Sequence, residues 1–472
     1  MPADVLWPDG GGCGTGDKCA YKKIVIFMDI RAYYLRKRFW FKDFLNGSPM
    51  WKDFKDVSYI SNNQSVIGGG RRAYYLKSII EFAKANTVFY GKVAGNELSD
   101  FPVINKQTIL SRYDDFLVPE YKIPGQKGKV HVQKTSGSTG TPFSVPQDTR
   151  CRIRRIATIK VENEKIGFHS FEPMMHLRAV KHYWNDRGDW FYDRKLNIIY
   201  ADNSNLTDEK IANILHAINQ YRVKVVRGYM TTLDTITRYA VEQGINLYSH
   251  PTFISVGELL LESLRSRIVE KLKCHVVSQY GNEENGIFGQ SAIDAPGDTI
   301  YLNRANCYIE ILKLDSDVPA VPGELGRVVV TDFTNYALPM IRYDIGDVAK
   351  IGEVIQGELF SIQSLSGRKT DLIYTTSGYR IDLFNSIPPD IYNNPGILQW
   401  QFIQEGQSEY VLRLCLKEVS VRSNEDKWRK SLKALLGTDA SIHIEYTSEI
   451  PVLNSGKRKI VIQKYTPPFM RS

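Results

Sequence analysis

Long apolar runs are missing from this 472-residue chain. None approaches the ~18–20 residues that a membrane-crossing helix needs, so no membrane-spanning helix is predicted. Cysteine is scarce as well. The six, Cys13, Cys19, Cys151, Cys274, Cys307 and Cys415, are too few and too scattered for a disulfide framework, and reduced thiols in a cytoplasmic setting are the expectation. Only Cys13 and Cys19 lie close in sequence, with no histidine cluster beside them, which argues against a zinc site. None of the eight histidines has another four residues on, so a metalloprotease-type helix is disfavoured. Charge of one sign is not in large excess either. Lys and Arg outnumber Asp and Glu by 61 to 52, and the resulting +9 is spread along the chain. That distribution fits small anionic partners or solubility better than a nucleic-acid footprint. What is plentiful is core-forming material, with 20 Phe, 27 Tyr and 7 Trp. At ~100–200 residues per domain, the length predicts about two to four domains.

Residues 1–27 open with a Gly- and Pro-rich stretch that lacks the charged start and apolar centre of a secretory signal. They read as a disordered leader, with Met28 as an alternative start. Residues 31–45 are basic and aromatic, which suits either a membrane surface or a helix packing its rings on the body. Farther on, helix and strand signals alternate. Ile211, Ile214, Leu215, Ile218 and Tyr221 are spaced as on one helical face, with Thr207 placed to cap it, and the β-branched run Val223–Val226 follows. A helix over Leu259–Lys273 and a strand over His275–Tyr280 repeat the pattern, which predicts parallel sheet covered by helices. After residue 300 shorter strands take over: Cys307–Leu312, Gly326–Thr331, Val348–Ile351 and Glu358–Leu365. The last hundred residues place a helix around Asp426–Leu436 between strands Tyr410–Leu416 and Ser441–Tyr446, as in a small α+β domain.

The chemistry concentrates in a few stretches. A β-rich run from Val130 leads into Thr135-Ser136-Gly137-Ser138-Thr139-Gly140-Thr141-Pro142. Glycine lets backbone N–H groups approach an anion, and the hydroxyls donate to phosphate oxygens. No Gly-Lys-Ser/Thr follows, so this is not a Walker A loop, and spacing alone favours a flexible surface turn. Gln279-Tyr280-Gly281-Asn282-Glu283-Glu284, Leu338–Asp347, Gly367–Ile373 and Asn454-Ser455-Gly456-Lys457 complete the set. Singly they also read as ordinary features. Tyr280 and Tyr343 suit core aromatics, Asp347 and Asp371 turn formers, Glu283 and Glu284 solvated caps, and Ser455–Lys459 a basic turn.

Their order and spelling together resemble the adenylate-forming superfamily (acyl-CoA synthetases, luciferases and adenylation domains). With Asp100–Lys106 and the Ala337–Tyr343 phrase, the wording is similar to the phenylacetate–CoA ligase-like branch that includes CapK proteins, over roughly residues 70–465. The resemblance implies an α/β fold: a large N-terminal domain (28–367) of α/β subdomains plus a β-rich part, then a small mobile α+β C-terminal domain (368–472) hinged at Thr370 and Asp371. It also implies ATP-dependent activation of a carboxylic acid as acyl-adenylate. The acyl group would then pass to coenzyme A or, alternatively, to an amine such as an amino sugar in surface polysaccharide assembly. A degenerate nucleotide-binding non-enzyme is the remaining alternative, and a homodimer is left open.

In that reading Thr135, Ser136, Gly137, Ser138, Thr139, Gly140 and Thr141 hold the β- and γ-phosphates. Tyr280, Gly281 and Asn282 border the adenine, Asp347 takes the ribose hydroxyls, and Arg368 assists at ribose or phosphate. Glu284 binds Mg2+ and Lys457 bridges the carboxylate and the α-phosphate. The acyl pocket is expected near Tyr229, Gly257 and Glu258. This sequence departs from the family pattern at Phe143, where a lysine is usual, at Glu283 for threonine, at Asp344 for arginine, and at Thr370 in the hinge.

Overall fold

A computed structural model describes residues 15–62, 69–126, 128–134, 143–179, 188–297, 299–392, 394, 396–451 and 458–465. The chain begins with three helices, α1 (Thr15–Leu45), α2 (Pro49–Asn62) and α3 (Gly69–Asn86). Residues 15–27, expected in an unstructured leader, are thus helical. The reason lies in the sequence, since the leader's glycines and prolines all fall at or before Gly16. The inner side of α1 packs Phe39 and Trp40 against Met50, Phe54 and Val57, while Tyr33, Tyr34, Phe41 and Phe44 are exposed. Among the described residues no helix is long and apolar enough to cross a membrane.

Next comes a hairpin of β1 (His131–Lys134) and β2 (Ser144–Gln147), followed by helix α4 (Thr149–Lys165), whose first turn is capped by Asp148. The chain then builds β3 (Met174–Arg178), β4 (Trp190–Asp193), β5 (Ile198–Asp202), α5 (Asp208–Gln220), β6 (Val225–Tyr229), α6 (Met230–Glu242), β7 (Thr252–Val256) and β8 (His275–Asn282). Strands β3, β5, β6, β7 and β8 are parallel, as the helix–strand alternation predicts. Thr207 caps α5 by accepting from the Lys210 N–H. The helix expected over Leu259–Lys273 is shorter than predicted. It begins at Glu262 and loosens after Ser266 into a wider turn, because Gly257 sits at φ +69° and the chain is still extended at Leu261.

The sheet continues through antiparallel β9 (Gly286–Gln290) and β10 (Ile300–Leu302), then β14 (Ser361–Arg368), β13 (Tyr343–Ile351), β12 (Leu325–Asp332) and β11 (Cys307–Lys313). One sheet therefore runs β11-β12-β13-β14-β10-β9-β8-β7-β6-β3-β5-β4, joining a β-rich half to a parallel half. Each half has its own apolar core. One gathers Phe143, Tyr280, Phe288 and Tyr343, the other the inner faces of α5 and α6.

A smaller sheet follows, in order β17 (Ser441–Tyr446), β16 (Glu409–Leu416), β15 (Ile397–Gln404) and β18 (Val461–Gln463). It is covered by α7 (Glu425–Leu436), whose Trp428, Leu432 and Leu436 recur every four residues and are fully buried. Its core begins at Ile373, just past the short turn Lys369–Asp371. Truncating a ring buried like Trp428 costs about 3–5 kcal/mol, so this small body has a substantial core of its own.

Candidate functional site

The two strands that end the β-rich half bring three predicted residues together. Asp347 on β13 and Arg368 on β14 are cross-strand partners, and Arg368 Nε lies 3.0 Å from Asp347 Oδ1. Tyr280, at the end of β8, donates its hydroxyl to Asp347 Oδ2 at 3.0 Å. Arg368 also donates to the Ile345 carbonyl at 2.6 Å. Both oxygens of Asp347 are thereby oriented while Arg368 stays partly open to solvent. Gly346 supplies the φ of +82° that lets the strand bend between Ile345 and Asp347, and a side chain there would press on the Arg368 guanidinium.

Strand β8 turns at once into β9, and Gly281 is obligatory at that turn, since a Cβ would stand 2.4 Å from the Gly286 carbonyl oxygen. Asn282 accepts from the Asn285 N–H at 2.7 Å and so closes the loop that presents Glu283 and Glu284. Arg155 on α4 clamps this loop from behind, donating to both of their carbonyls and lying 3.4 Å from the Asp332 carboxylate. Burial raises the Glu284 carboxyl above its ordinary range, and Arg368 and Lys106 pull it back only in part. Burial likewise pushes the Tyr280 phenol well up, and Asp347 adds to that rise.

The hydroxyl-rich loop Thr135–Pro142 lies outside the described residues, but its two ends are placed. Lys134 and Ser144 pair across the β1–β2 hairpin, and Gln133 Nε2 donates to Glu283 Oε2 at 2.9 Å. The open end of the hairpin therefore stands beside the Glu283–Glu284 turn. Phe143 is fully buried in the core, so no phosphate contact comes from that position. The cation nearby is Lys106, whose ammonium lies 6.0 Å from the Phe143 ring and whose charge reaches Glu284. Lys106 stood in the Asp100–Lys106 phrase without an assigned role, and Arg155 belonged to no motif at all. Only the fold brings them to the site. Asp344, where an arginine is usual, instead accepts from Arg327 and from the Gly346 N–H, an internal structural use.

Lys457, with Asn454, Ser455 and Gly456, also lies outside the described residues. The segment after it is docked on the large body. The Arg458 N–H donates to Glu258 Oε1 at 3.1 Å, and Lys459 Nζ lies 3.4 Å from Asp371 Oδ1. Glu258 also accepts from the Thr231 N–H at 2.9 Å, which joins it to the Tyr229–Met230 start of α6. Glu258 thus meets the C-terminal segment, with Gly257 beside it in sequence and Tyr229 at the start of the helix it joins, while Tyr280, Asp347, Arg368 and Glu284 form a second cluster. Burial raises Asp371 as well, against the pull of Lys459 and Arg368. A cleft of about 240 Å³ runs along the contact of the two bodies, lined by Thr231, Asp234, Arg238, Tyr392, Trp400 and Arg458 among others.

Residues 373–464 match the family model of the CapK C-terminal domain. Protein CapK of Staphylococcus aureus is 22% identical over 401 residues, covering 82% of this chain and 86% of that protein. The chain is thus similar to CapK and to phenylacetate–CoA ligases, in keeping with the resemblance to the adenylate-forming superfamily. The phenylacetate-coenzyme A ligase of Aromatoleum evansii is 21% identical over 392 residues, covering 78% of this chain and 85% of that enzyme. Among solved structures, 2-hydroxyisobutyryl-CoA ligase in the postadenylation state shares the fold. Its TM-score is 0.66 at 13% identity, covering 87% of this chain and 92% of that one.

Proposed function

We propose that the chain activates a carboxylic acid with ATP. A carboxylate oxygen bonds to the α-phosphorus, the bond from that phosphorus to the bridging oxygen of pyrophosphate breaks, and acyl-adenylate and pyrophosphate result. The observation that carries this reading is the Tyr280–Asp347–Arg368 network, with the neighbouring Glu283–Glu284 turn held to the β1–β2 hairpin by Gln133. In it Asp347 accepts the ribose hydroxyls, its carboxylate held in place by Tyr280 and Arg368, while Tyr280 borders the adenine. The 135–142 loop donates to the departing phosphates. Lys457 brings a mobile positive charge to where negative charge gathers on the α-phosphate.

Among the described residues no cluster of three or more His, Cys, Asp or Glu is placed to hold a metal ion. Mg2+ arriving with ATP would need only one or two carboxylates beside the phosphates. Glu284 is the residue to hold it, and the ion would neutralise charge on the leaving pyrophosphate. In the second step the thiol of coenzyme A attacks the acyl carbon and AMP leaves. The small body (368–472), hinged at Thr370 and Asp371, carries Lys457 away to open that path. An amine acceptor is the rival, in keeping with the similarity to CapK.

The test is pyrophosphate release from ATP and Mg2+ over a panel of acids, followed by single-turnover offers of coenzyme A or amino sugars to the adenylated enzyme. Release that no acid stimulates overturns the reading. Consumption of amine but not thiol replaces the acceptor.

A further inference from the structure

One face of the parallel half carries charge that no described residue neutralises. His176 on β3 pairs in register with Arg227 on β6 and, on its other side, with Tyr200 on β5. Residues so paired project to the same face, and the His176 and Tyr200 rings lie 6.0 Å apart. Arg178 and Tyr229, two residues farther along their strands, share that face, which continues across Ile254 and Val256 to Val277 and Gln279. The opposite face, with Leu177, Ile199, Val226, Phe253 and Val276, is sealed into the core under α5 and α6. On the charged face, Ile166, Phe168, Val225, Ile254 and Val277 form only a small apolar floor.

Two guanidinium groups over an apolar floor need an explanation. Neither the Arg178 nor the Arg227 side chain makes a hydrogen bond or ion pair among the described residues. Arg227 is recessed, and burial lowers its guanidinium to about 10. The nearest opposing charge in that balance is Glu283, whose carboxylate is engaged by Gln133. Burial, then Arg227 and Arg178, lowers His176 to about 3, so it is neutral at neutral pH and crowded only by positive charge. A recessed cation without a partner is destabilising, and an arriving anion removes that penalty.

The face also lies beside the candidate site. Tyr229 pairs with Val256, two residues before Glu258, which accepts both from the Thr231 N–H and from the Arg458 N–H of the docked C-terminal segment. Strand β8, two strands from Arg227, carries Gln279 on this face just before Tyr280 and Gly281. We propose that this face receives the far end of the acid, and that the acid carries there a second oxyanion, a carboxylate, sulfate or phosphate, bound by Arg227 with Arg178 in support. The assignment deepens the ligase reading and rests on it. The substrate class is then a dianionic acid with an apolar spacer, the spacer lying along Tyr229 and Val256, the partly exposed pair of that face.

The experiment compares acids matched in skeleton, such as benzoate with 4-sulfobenzoate and monomethyl glutarate with glutarate, by acid-dependent pyrophosphate release in the full chain and in Arg227→Met and Arg227→Lys. The expected result is that the wild-type chain prefers the dianionic member of each pair. Arg227→Met should lower its kcat/KM about 10–100-fold, the range for losing a charge-assisted hydrogen bond, while lowering the other member far less. Arg227→Lys should recover part of the loss. Equal loss for both members would put Arg227 at the reacting carboxylate or in the fold and overturn the proposal, as would wild-type preference for the singly charged acid. Thermal stabilisation by each acid is read in parallel, with circular dichroism confirming the variant fold. Stabilisation of wild type but not Arg227→Met by the dianionic acid, without pyrophosphate release from any acid, would uphold the anion site and sink the ligase reading. Absence of both signals would sink the two together.

Discussion

The nucleotide cluster and the docked C-terminal segment are held in opposite ways. Asp347 and Arg368 face each other across paired strands of the large sheet, and Tyr280 reaches the same carboxylate from the end of a third strand. Moving any of them means breaking sheet register. The small body, by contrast, meets the large one through scattered contacts: Arg458 N–H to Glu258, Arg238 to the Leu398 carbonyl, Lys417 to Glu242, Arg380 to Asp315, and Ile460 against the apolar core under α5 and α6. Its own core is closed behind it around Trp428. The difference teaches which half of the chemistry is preorganised. On the proposed reading, the large body would hold a nucleotide without adjustment, and the small one would come and go.

The sharpest way to break that comparison is to remove the cation that the small body is proposed to bring. Lys457→Ala should lower acid-dependent pyrophosphate release about 10²–10³-fold, the scale for losing one preorganised group at developing negative charge. Thiolysis of a supplied acyl-adenylate should stay near wild type, because that step uses the other orientation. Equal loss in both half-reactions, measured by quenched single turnover, would make Lys457 part of the fixed site instead.

Next in size is Glu284→Gln, expected to lower adenylation about 10²-fold and to raise the Mg2+ concentration needed for half-maximal rate. Here pH gives an independent reading. Burial raises the Glu284 carboxyl, so its proton is lost only above the ordinary glutamate range and the acidic limb of kcat/KM should fall at a higher pH than for a free carboxylate. The raised value also means that ionising Glu284 opposes folding. This carboxyl's contribution to stability is complete below its unfolded pKa and is lost as pH rises through the folded one. In Glu284→Gln that acidic limb should vanish from the pH profile. Its persistence would assign the limb to another group, Asp371 first, since burial raises that carboxyl too.

How much of this was legible in the sequence follows the same division. The αβ alternation declared the parallel half, because Thr207 and the Ile211–Tyr221 spacing are local signals that need no tertiary partner. The order of Tyr280, Asp347 and Arg368 declared the cluster, but their hydrogen bonds depend on β8, β13 and β14 converging, which spacing alone does not encode. Arg155 and Lys106 were hidden for the same reason. One sits mid-helix and the other heads a short helix, and only the fold turns them toward Glu283 and Glu284. Phe143 marked the place where the family's lysine is missing, but only the fold shows that it is a packing residue of the core beside which Lys106 stands. The long helix predicted from Leu259 failed because its apolar periodicity says nothing of Gly257, whose positive φ delays the start.

Smaller effects sharpen the comparison within each region. Tyr280→Phe keeps the ring and deletes one hydroxyl hydrogen bond to Asp347. It should weaken ATP binding by about 1 kcal/mol, roughly fivefold in the KM for ATP, with kcat little changed. If the KM stays constant while kcat falls, Tyr280 acts on the transition state and the cluster is not a ground-state clamp.

The smallest effect should come from Lys459→Ala. Its partner Asp371 is partly open, Lys459 more so, and exposed pairs of this kind contribute about 0–1 kcal/mol. A contact that weak leaves overall turnover within a few-fold, yet by tying the C-terminal segment to the hinge residue Asp371 it still biases which orientation the small body occupies. Releasing it should slow adenylation slightly and speed the transfer half-reaction, so the ratio of the two single-turnover rates moves about two- to fivefold while their product stays nearly constant. The effect should shrink in high salt, as a partly solvated ion pair must. A ratio that stays put would mean that Arg458 and Glu258 hold the docked orientation unaided, and Glu258→Gln then becomes the variant that moves it.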